Sequence, residues 1–242
     1  MKVIKTISLS LMLSAIPQLL MAQDTFGEMI YSKVKTLFKL NAPTTVNLDG
    51  MTGATTQIDK KKQVEIHIYE DGQGGKAIKT IKMKASGENR WEATVKGDLK
   101  GKFYTFDIGK GETPGVFAKA VGVNGMRGAI VDMAETNPQG WENDQRPVIQ
   151  SPADLVIYEM HWRDFSIDVS SGLKNKGKFL ALTEPKAIEH LKSLGVNAVH
   201  ILPSFDYASV DETKLDTPQY NWGYDPKNYN VPEGSYSTDP YN

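Results

Sequence analysis

The chain has 242 residues, with 28 lysines and arginines against 29 aspartates and glutamates, for a formal net charge of -1. That balance gives no electrostatic reason to expect nucleic acid or an anionic lipid surface as a partner. There is no cysteine, which excludes disulfides, thiolate nucleophiles and cysteine-ligated zinc, and the length alone fits one or two domains.

The first residues read as an export signal. Lys2 and Lys5 precede an apolar run over residues 7–20, and Ala22 offers a small residue at a cleavage point before Gln23. A positive n-region, an apolar h-region and a short c-region make a signal peptide over residues 1–22. The mature protein is therefore expected to be exported, to the periplasm or the extracellular space. No later stretch is apolar for long enough to span a bilayer, so no membrane partner is expected once the signal is cleaved.

Residues 31–108 carry the period of short strands. Val64, Ile66 and Ile68 alternate with Glu65, His67 and Tyr69, the signature of a half-buried strand. Asp71-Gly72 and Gly74-Gly75 supply turn chemistry, Ile81 and Met83 alternate again, and Ser86-Gly87-Glu88-Asn89 turns the chain. Trp91, Ala93 and Val95 form the next alternating set, followed by Phe103-Tyr104-Thr105-Phe106. Strands at this spacing predict an antiparallel, immunoglobulin-like β-sandwich over residues 23–130. The alternation places Trp91 in the core rather than on a ligand-stacking face. Residues 131–152 hold Gly, Pro and several apolar side chains, among them Val131 and Trp141. They read as an irregular inter-domain segment packed along a surface, since a solvated spacer would be less apolar.

The pattern changes at residue 153. Leu155-Val156-Ile157-Tyr158-Glu159-Met160 is a nearly continuous apolar run, as expected of a strand covered on both faces. Thr183 is placed to cap a helix whose first turn tolerates Pro185. Ala187, Ile188, Leu191 and Leu194 make one helical stripe, which Gly195 is placed to end in the left-handed conformation. A second buried-strand run, residues 196–202, stops at Pro203. This strand–helix–strand unit predicts parallel strands with a right-handed crossover. Long excursions follow each strand at its C-terminal end, which is the face that builds the active site in α/β barrels. Residues 153–242 amount to about 90 positions where a complete eight-stranded barrel takes roughly 250, so the expectation is the start of a (β/α)8 barrel, truncated and incomplete. The predicted class is thus multidomain β plus α/β.

Several segments in order resemble one family. Tyr220-Asn221-Trp222-Gly223-Tyr224-Asp225-Pro226 resembles the heptapeptide of type I pullulanases, and Pro232-Glu233-Gly234-Ser235-Tyr236-Ser237-Thr238 continues the likeness. Ile157-Tyr158-Glu159-Met160-His161-Trp162-Arg163-Asp164-Phe165 resembles the first barrel strand of the α-amylase superfamily, and residues 202–212 resemble the segment after its second strand. Upstream, residues 118–125 are similar to the segment leading from the N-terminal sandwich into the barrel.

The resemblance implies a sandwich similar to glycogen- and starch-binding modules, then a barrel that hydrolyses α-1,6 branch points in pullulan, starch and glycogen. The implied mechanism is retaining, with nucleophile and acid carboxyls roughly 5–5.5 Å apart. In the family these follow the fourth and fifth strands, so no residue here matches a catalytic group and the chain alone is expected to be inactive. What carries over is substrate binding: Tyr224 as the ring beneath a sugar, Asp225 as acceptor of sugar hydroxyls, with Trp222 and Asn221 as neighbours. Glu159 and Asp164 have no catalytic counterpart and are expected to form structural ion pairs. His67, His161, His190 and His200 lack ligand spacing, so no metal site and no cofactor is read here, and calcium is not legible in the sequence. From a different class of function stands the alternative of a non-catalytic α-glucan-binding protein acting through its sandwich.

Overall fold

The computed structural model describes residues 6–12, 45–46, 55–56, 63–85, 90–109, 111–145 and 147–241, the first three segments as backbone. Most of the expected signal peptide, residues 23–44, 47–54 and 57–62 of the expected sandwich and the turn at 86–89 lie outside the described residues. The chain divides into two compact units: Met1–Ile68 with Ala77–Leu99 and Thr105–Gly115, and Tyr69–Lys76 with Lys100–Tyr104 and Val116–Asn242.

The first unit is built of strands. They are β1 (Thr6–Met12), β2 (Thr45–Val46), β3 (Thr55–Thr56), β4 (Glu65–Tyr69), β5 (Lys79–Lys82), β6 (Lys84–Ala85), β7 (Arg90–Lys96), β8 (Phe103–Asp107) and β9 (Glu112–Thr113), of which the last residue of β4 and the first two of β8 fall in the second unit. Strand β7 lies between β1 and β6, antiparallel to both, and β4 pairs antiparallel with β5. Inside the expected leader, β1 sets Ile7 opposite Val95 and Leu11 opposite Trp91. The alternation read in β4 holds through Ile68, with Ile66 and Ile68 wholly buried and Glu65 and His67 half-buried, but Tyr69, expected on the outer face, is buried. In β7 the same period buries Trp91, Ala93 and Val95. On β8, Thr105 is buried and satisfied by donating its hydroxyl to Glu112 Oε2 at 2.6 Å, which ties the strand to β9.

The second unit holds β10 (Gly128–Ala129), β11 (Ile157–Met160), α1 (Trp162–Ser166), α2 (Pro185–Ser193), β12 (Ala198–Ile201), β13 (Phe205–Tyr207) and β14 (Pro226–Pro232). Strands β11 and β12 pair in parallel, with Ile157 opposite Ala198 and Met160 opposite Ile201, as the strand–helix–strand reading predicts. Asn197 fixes the entry: its Oδ1 accepts from the Val156 amide at 2.8 Å and its Nδ2 donates to the Asp154 carbonyl at 2.8 Å. Helix α2 begins with Pro185 in its first turn, where the missing amide hydrogen costs nothing. Its capping residue is Glu184, not Thr183, because the Thr183 hydroxyl donates back to the Leu180 carbonyl and closes the preceding 3-10 turn. Gly195 ends the segment at φ +73°.

The expected burial of this unit is met only in part. Met160 is buried, but Val156 and Ile157 are 49% and 59% exposed, and Ile188 on α2 and Leu194 just after it are exposed as well. A parallel pair with one helix has a single partner layer, so its remaining apolar face is left to solvent. No closed barrel forms among the described residues. Residues 131–152 differ from expectation too: Val131, Met133, Trp141, Val148 and Ile149 are all exposed rather than packed. Glu159 pairs with His200 Nδ1 at 3.0 Å and Asp164 with Arg163 at 3.2 Å, which agrees with structural ion pairing.

Truncating the buried indole of β7 removes a large apolar body from the first unit. Trp91→Ala is expected to lower stability by about 3–5 kcal/mol in chemical denaturation. A change within about 0.5 kcal/mol would instead mark the indole as a surface group.

Candidate functional site

The excursions after β11 and β12 fold against each other inside the second unit. Trp162 and Phe179 meet edge to face with centroids 4.8 Å apart, Phe179 meets Tyr236 at 5.5 Å, and Tyr207 meets Tyr236 at 6.3 Å. Such T-shaped pairs bring the positive ring edge onto the negative face and add to the gain from burial. Together with Val210 and Leu215 these rings form a core beneath the loops.

His161, also buried, is the polar centre of that core. Its Nδ1 accepts from the Asp164 amide at 3.3 Å, so the ring hydrogen sits on Nε2. From there it reaches the Asn221 carbonyl at 2.8 Å and the Tyr236 hydroxyl at 2.9 Å. One ring thus fixes the start of α1, the end of the chain and the heptapeptide. Burial pushes the Tyr236 phenol far above its usual range, which keeps it a hydroxyl at any working pH.

The heptapeptide turns sharply at Gly223. The Gly223 amide donates to Asn221 Oδ1 at 2.6 Å, and φ is +87°. A Cβ at this position would overlap the Pro203 carbonyl oxygen, so glycine is required on both steric counts. Asn221 Nδ2 donates to Asp225 Oδ1 at 2.7 Å and to the Ser209 hydroxyl, which in turn donates to Asp225 Oδ2 at 2.6 Å. Asn221, Ser209 and Asp225 therefore form a closed polar triangle, and Asp225 stays on the surface. Trp222 and Tyr224 project outward, 62% and 67% exposed. The four residues read from the sequence come together as one exposed aromatic and polar patch. Ser209 completes it and was missed, because a lone serine eleven residues or more upstream carries no spacing signal. Beside the patch a cavity of about 290 Å³ is lined by Asn221, His161, Tyr236, Lys176, Lys178 and Gln219, among others.

A second constellation lies behind β13 and β14. Asp206, Glu212 and Glu233 each bring an oxygen within 4.8 Å of the other two. Asn124, at φ +60°, clasps this region: its amide donates to Glu212 Oε2 at 2.6 Å, its Oδ1 accepts from the Glu212 amide at 2.8 Å, and its Nδ2 donates to Asp211 at 3.1 Å. Hydrogen bonds from Lys214, Thr213 and Asn124 hold Asp211 well below the usual carboxylate range. Burial does the opposite to the three inner carboxyls, and Glu212 is pushed up to about 7. No histidine takes part, and acids at 206, 212 and 233 share no helical or strand period, which is why the sequence reading did not find them.

The chain spans only about a quarter of the curated relatives it matches, so it aligns with a portion of longer proteins. The pullulanase of Bacillus subtilis strain 168 is 41% identical over 180 residues, covering 69% of this chain and 24% of that protein. Pullulanase 1, chloroplastic, of Arabidopsis thaliana is 32% identical over 162 residues, covering 51% of this chain and 17% of that protein. Among solved structures, the pullulanase of Paenibacillus barengoltzii in complex with maltohexaose and α-cyclodextrin superposes with a TM-score of 0.71 at 50% identity, covering 74% of this chain and 30% of that one. No protein-family model matches the chain. Its homologues over some 70% of its length are type I pullulanases, and by that relationship the chain is of pullulanase type.

Two consequences are measurable. Gly223→Ala is expected to destabilise the second unit by more than the roughly 1–2 kcal/mol of a left-handed non-glycine residue alone, since the carbonyl overlap adds to it; thermal denaturation reads it. With divalent cations chelated, the stability of the chain should fall as pH rises. Glu212 ordinarily ionises near 4.5 but holds its proton to about 7 when folded. Between those values unfolding releases a proton, so stability declines through that window and stays low above it. Asp206 and Glu233 act in the same sense, whereas Lys178, lowered by burial, acts in the opposite one. In Glu212→Gln the decline flattens, as melting temperatures recorded across the window would reveal.

Proposed function

We propose that the chain is the N-terminal portion of a pullulanase-type debranching glycoside hydrolase that acts on α-1,6-glucosidic linkages of pullulan, starch and glycogen. The observation that carries this reading is the exposed patch at residues 221–225, held by Asn221, Ser209 and Asp225, on a chain that is 50% identical, over the 74% of it that superposes, to a pullulanase crystallised with maltohexaose. A sugar presents one apolar face and a rim of hydroxyls; Tyr224 offers a ring to the face and Asp225 a fixed acceptor to the rim. Trp222 extends the apolar floor.

In this reading residues 23–130 form an immunoglobulin-like sandwich similar to glycogen- and starch-binding modules, residues 131–152 join it to the barrel, and residues 153–242 supply the first strands of a (β/α)8 barrel. Residues 1–22 direct export. The exposed face of β11, β12 and α2 is then the surface against which later barrel strands and helices pack. The retaining mechanism needs a nucleophile and an acid that this chain does not contribute, so it binds α-glucan without cleaving it.

Titrating maltohexaose into the chain tests the binding half. Tyr224→Ala should weaken binding roughly tenfold, about 1.4 kcal/mol, while leaving the melting temperature unchanged, as suits a ring so exposed. Equal affinity in wild type and variant would remove the patch from the site. Reducing-sugar assays on pullulan test the other half: the chain alone should release none, and detectable maltotriose would overturn the assignment of catalysis to residues beyond it.

A further inference from the structure

The turn over residues 123–125 sets two left-handed residues in succession, Asn124 at φ +60° and Gly125 at φ +63°. Asn124 is the one non-glycine residue at positive φ among the described residues, and asparagine is among the few side chains that tolerate that region. Gly125 has no substitute, because a Cβ there would overlap Asp206 and Asn228. The turn thus selects Asn-Gly for its backbone, and this is the one Asn-Gly pair in the sequence. The same pair carries chemistry of its own: a glycine nitrogen with no Cβ beside it can approach the preceding carboxamide carbon and close a five-membered ring.

The fold holds those atoms apart. The ring closes only with Asn124 Cγ and the Gly125 nitrogen on the same side of the Cα–C bond, which needs a strongly negative ψ, whereas ψ is +17°. The groups that would have to turn are tied down. The Gly125 amide donates to the Gly122 carbonyl at 2.9 Å, the Asn124 carbonyl accepts from Lys227 Nζ at 2.8 Å, and the Gly125 carbonyl accepts from Asn228 Nδ2 at 3.0 Å. The carboxamide itself spans the Glu212 amide and Asp211.

We propose that Asn124 is a deamidation site, locked in the folded chain and released when the turn opens, and that its conversion makes unfolding irreversible. Once ψ is free, the Gly125 nitrogen gives up its proton and bonds to Asn124 Cγ. The Cγ–Nδ2 bond breaks and ammonia leaves with that proton, giving a succinimide. Water then opens the ring at either carbonyl, to aspartate or to isoaspartate. No oxidant and no cofactor takes part. Neither product refits the turn. Aspartate sets a carboxylate against Asp211, where an N–H donor stood 3.1 Å away, and adds charge to a region that already buries three carboxyls. Isoaspartate lengthens the main chain by a methylene and shifts the Gly125 amide and carbonyl off their partners. Glucan binding has no part in this chemistry.

The test incubates the whole 242-residue chain in mildly alkaline buffer, native in one arm and unfolded in guanidinium chloride in the other. Peptide mapping follows the mass gain at residue 124 as amide becomes carboxyl, and enzymatic methylation counts the isoaspartate. Conversion should run at least about tenfold faster in the unfolded arm, since the native chain reacts only through local opening. The yield of refolded chain should fall in step with the converted fraction. Asn124→Gly keeps the left-handed backbone without the carboxamide and should refold undiminished after the same incubation. Asn124→Asp reproduces one product and should melt roughly 5 °C lower. Equal rates in the two arms would overturn the lock, and no conversion in the unfolded arm would overturn the site. Full refolding of converted chain would overturn the link to irreversibility.

Discussion

The second unit depends on one buried imidazole. His161 sits at the junction of β11 and α1, and its two nitrogens join the start of α1 to Asn221 and Tyr236, 60 and 75 residues further along the chain. A buried polar group of this kind is costly when incompletely paired and specifying when paired. Because Nδ1 is occupied by the Asp164 amide, Nε2 has to donate, and both of its acceptors lie on the long excursion after β12. The heptapeptide is therefore anchored through its backbone carbonyl at Asn221, which leaves the Asn221 side chain free to orient Asp225. The ring cluster of Trp162, Phe179, Tyr207 and Tyr236 surrounds this anchor and keeps water from competing for it.

The two polar constellations use opposite strategies. At the patch, Asn221, Ser209 and Asp225 satisfy one another at the surface, and the aromatic rings beside them remain exposed. This arrangement costs little to maintain and stands ready for a ligand with both apolar and hydroxyl surfaces. Behind β13 and β14, three acids are enclosed with too few donors, and glycines at 125 and 234 admit the backbone to close range. Burial there raises all three carboxyls, Glu212 to about 7.

The sequence made the local elements legible where a single period governed them. Alternation located β4 and the buried face of β7, including Trp91, and the sequence from Pro185 to Gly195 located α2 with its left-handed ending. It misjudged the cap, because the competition between Thr183 and Glu184 is decided by whether the threonine hydroxyl is already spent on a preceding turn. It also overstated burial at Val156, Ile157 and Leu194, since an apolar run says that a surface prefers cover, not that cover is present.

The sequence by itself determined the relationship to pullulanases, the parallel strand–helix–strand unit, and the residues Asn221, Trp222, Tyr224 and Asp225 as a candidate site, because each is written in a contiguous motif or a regular period. Only the tertiary structure decided that Ser209 joins that site, that His161 holds it from beneath, and that Asp206, Glu212 and Glu233 converge. Those contacts join residues through irregular loops, where no period relates position in the chain to position in space, so they exist only once the loops have folded.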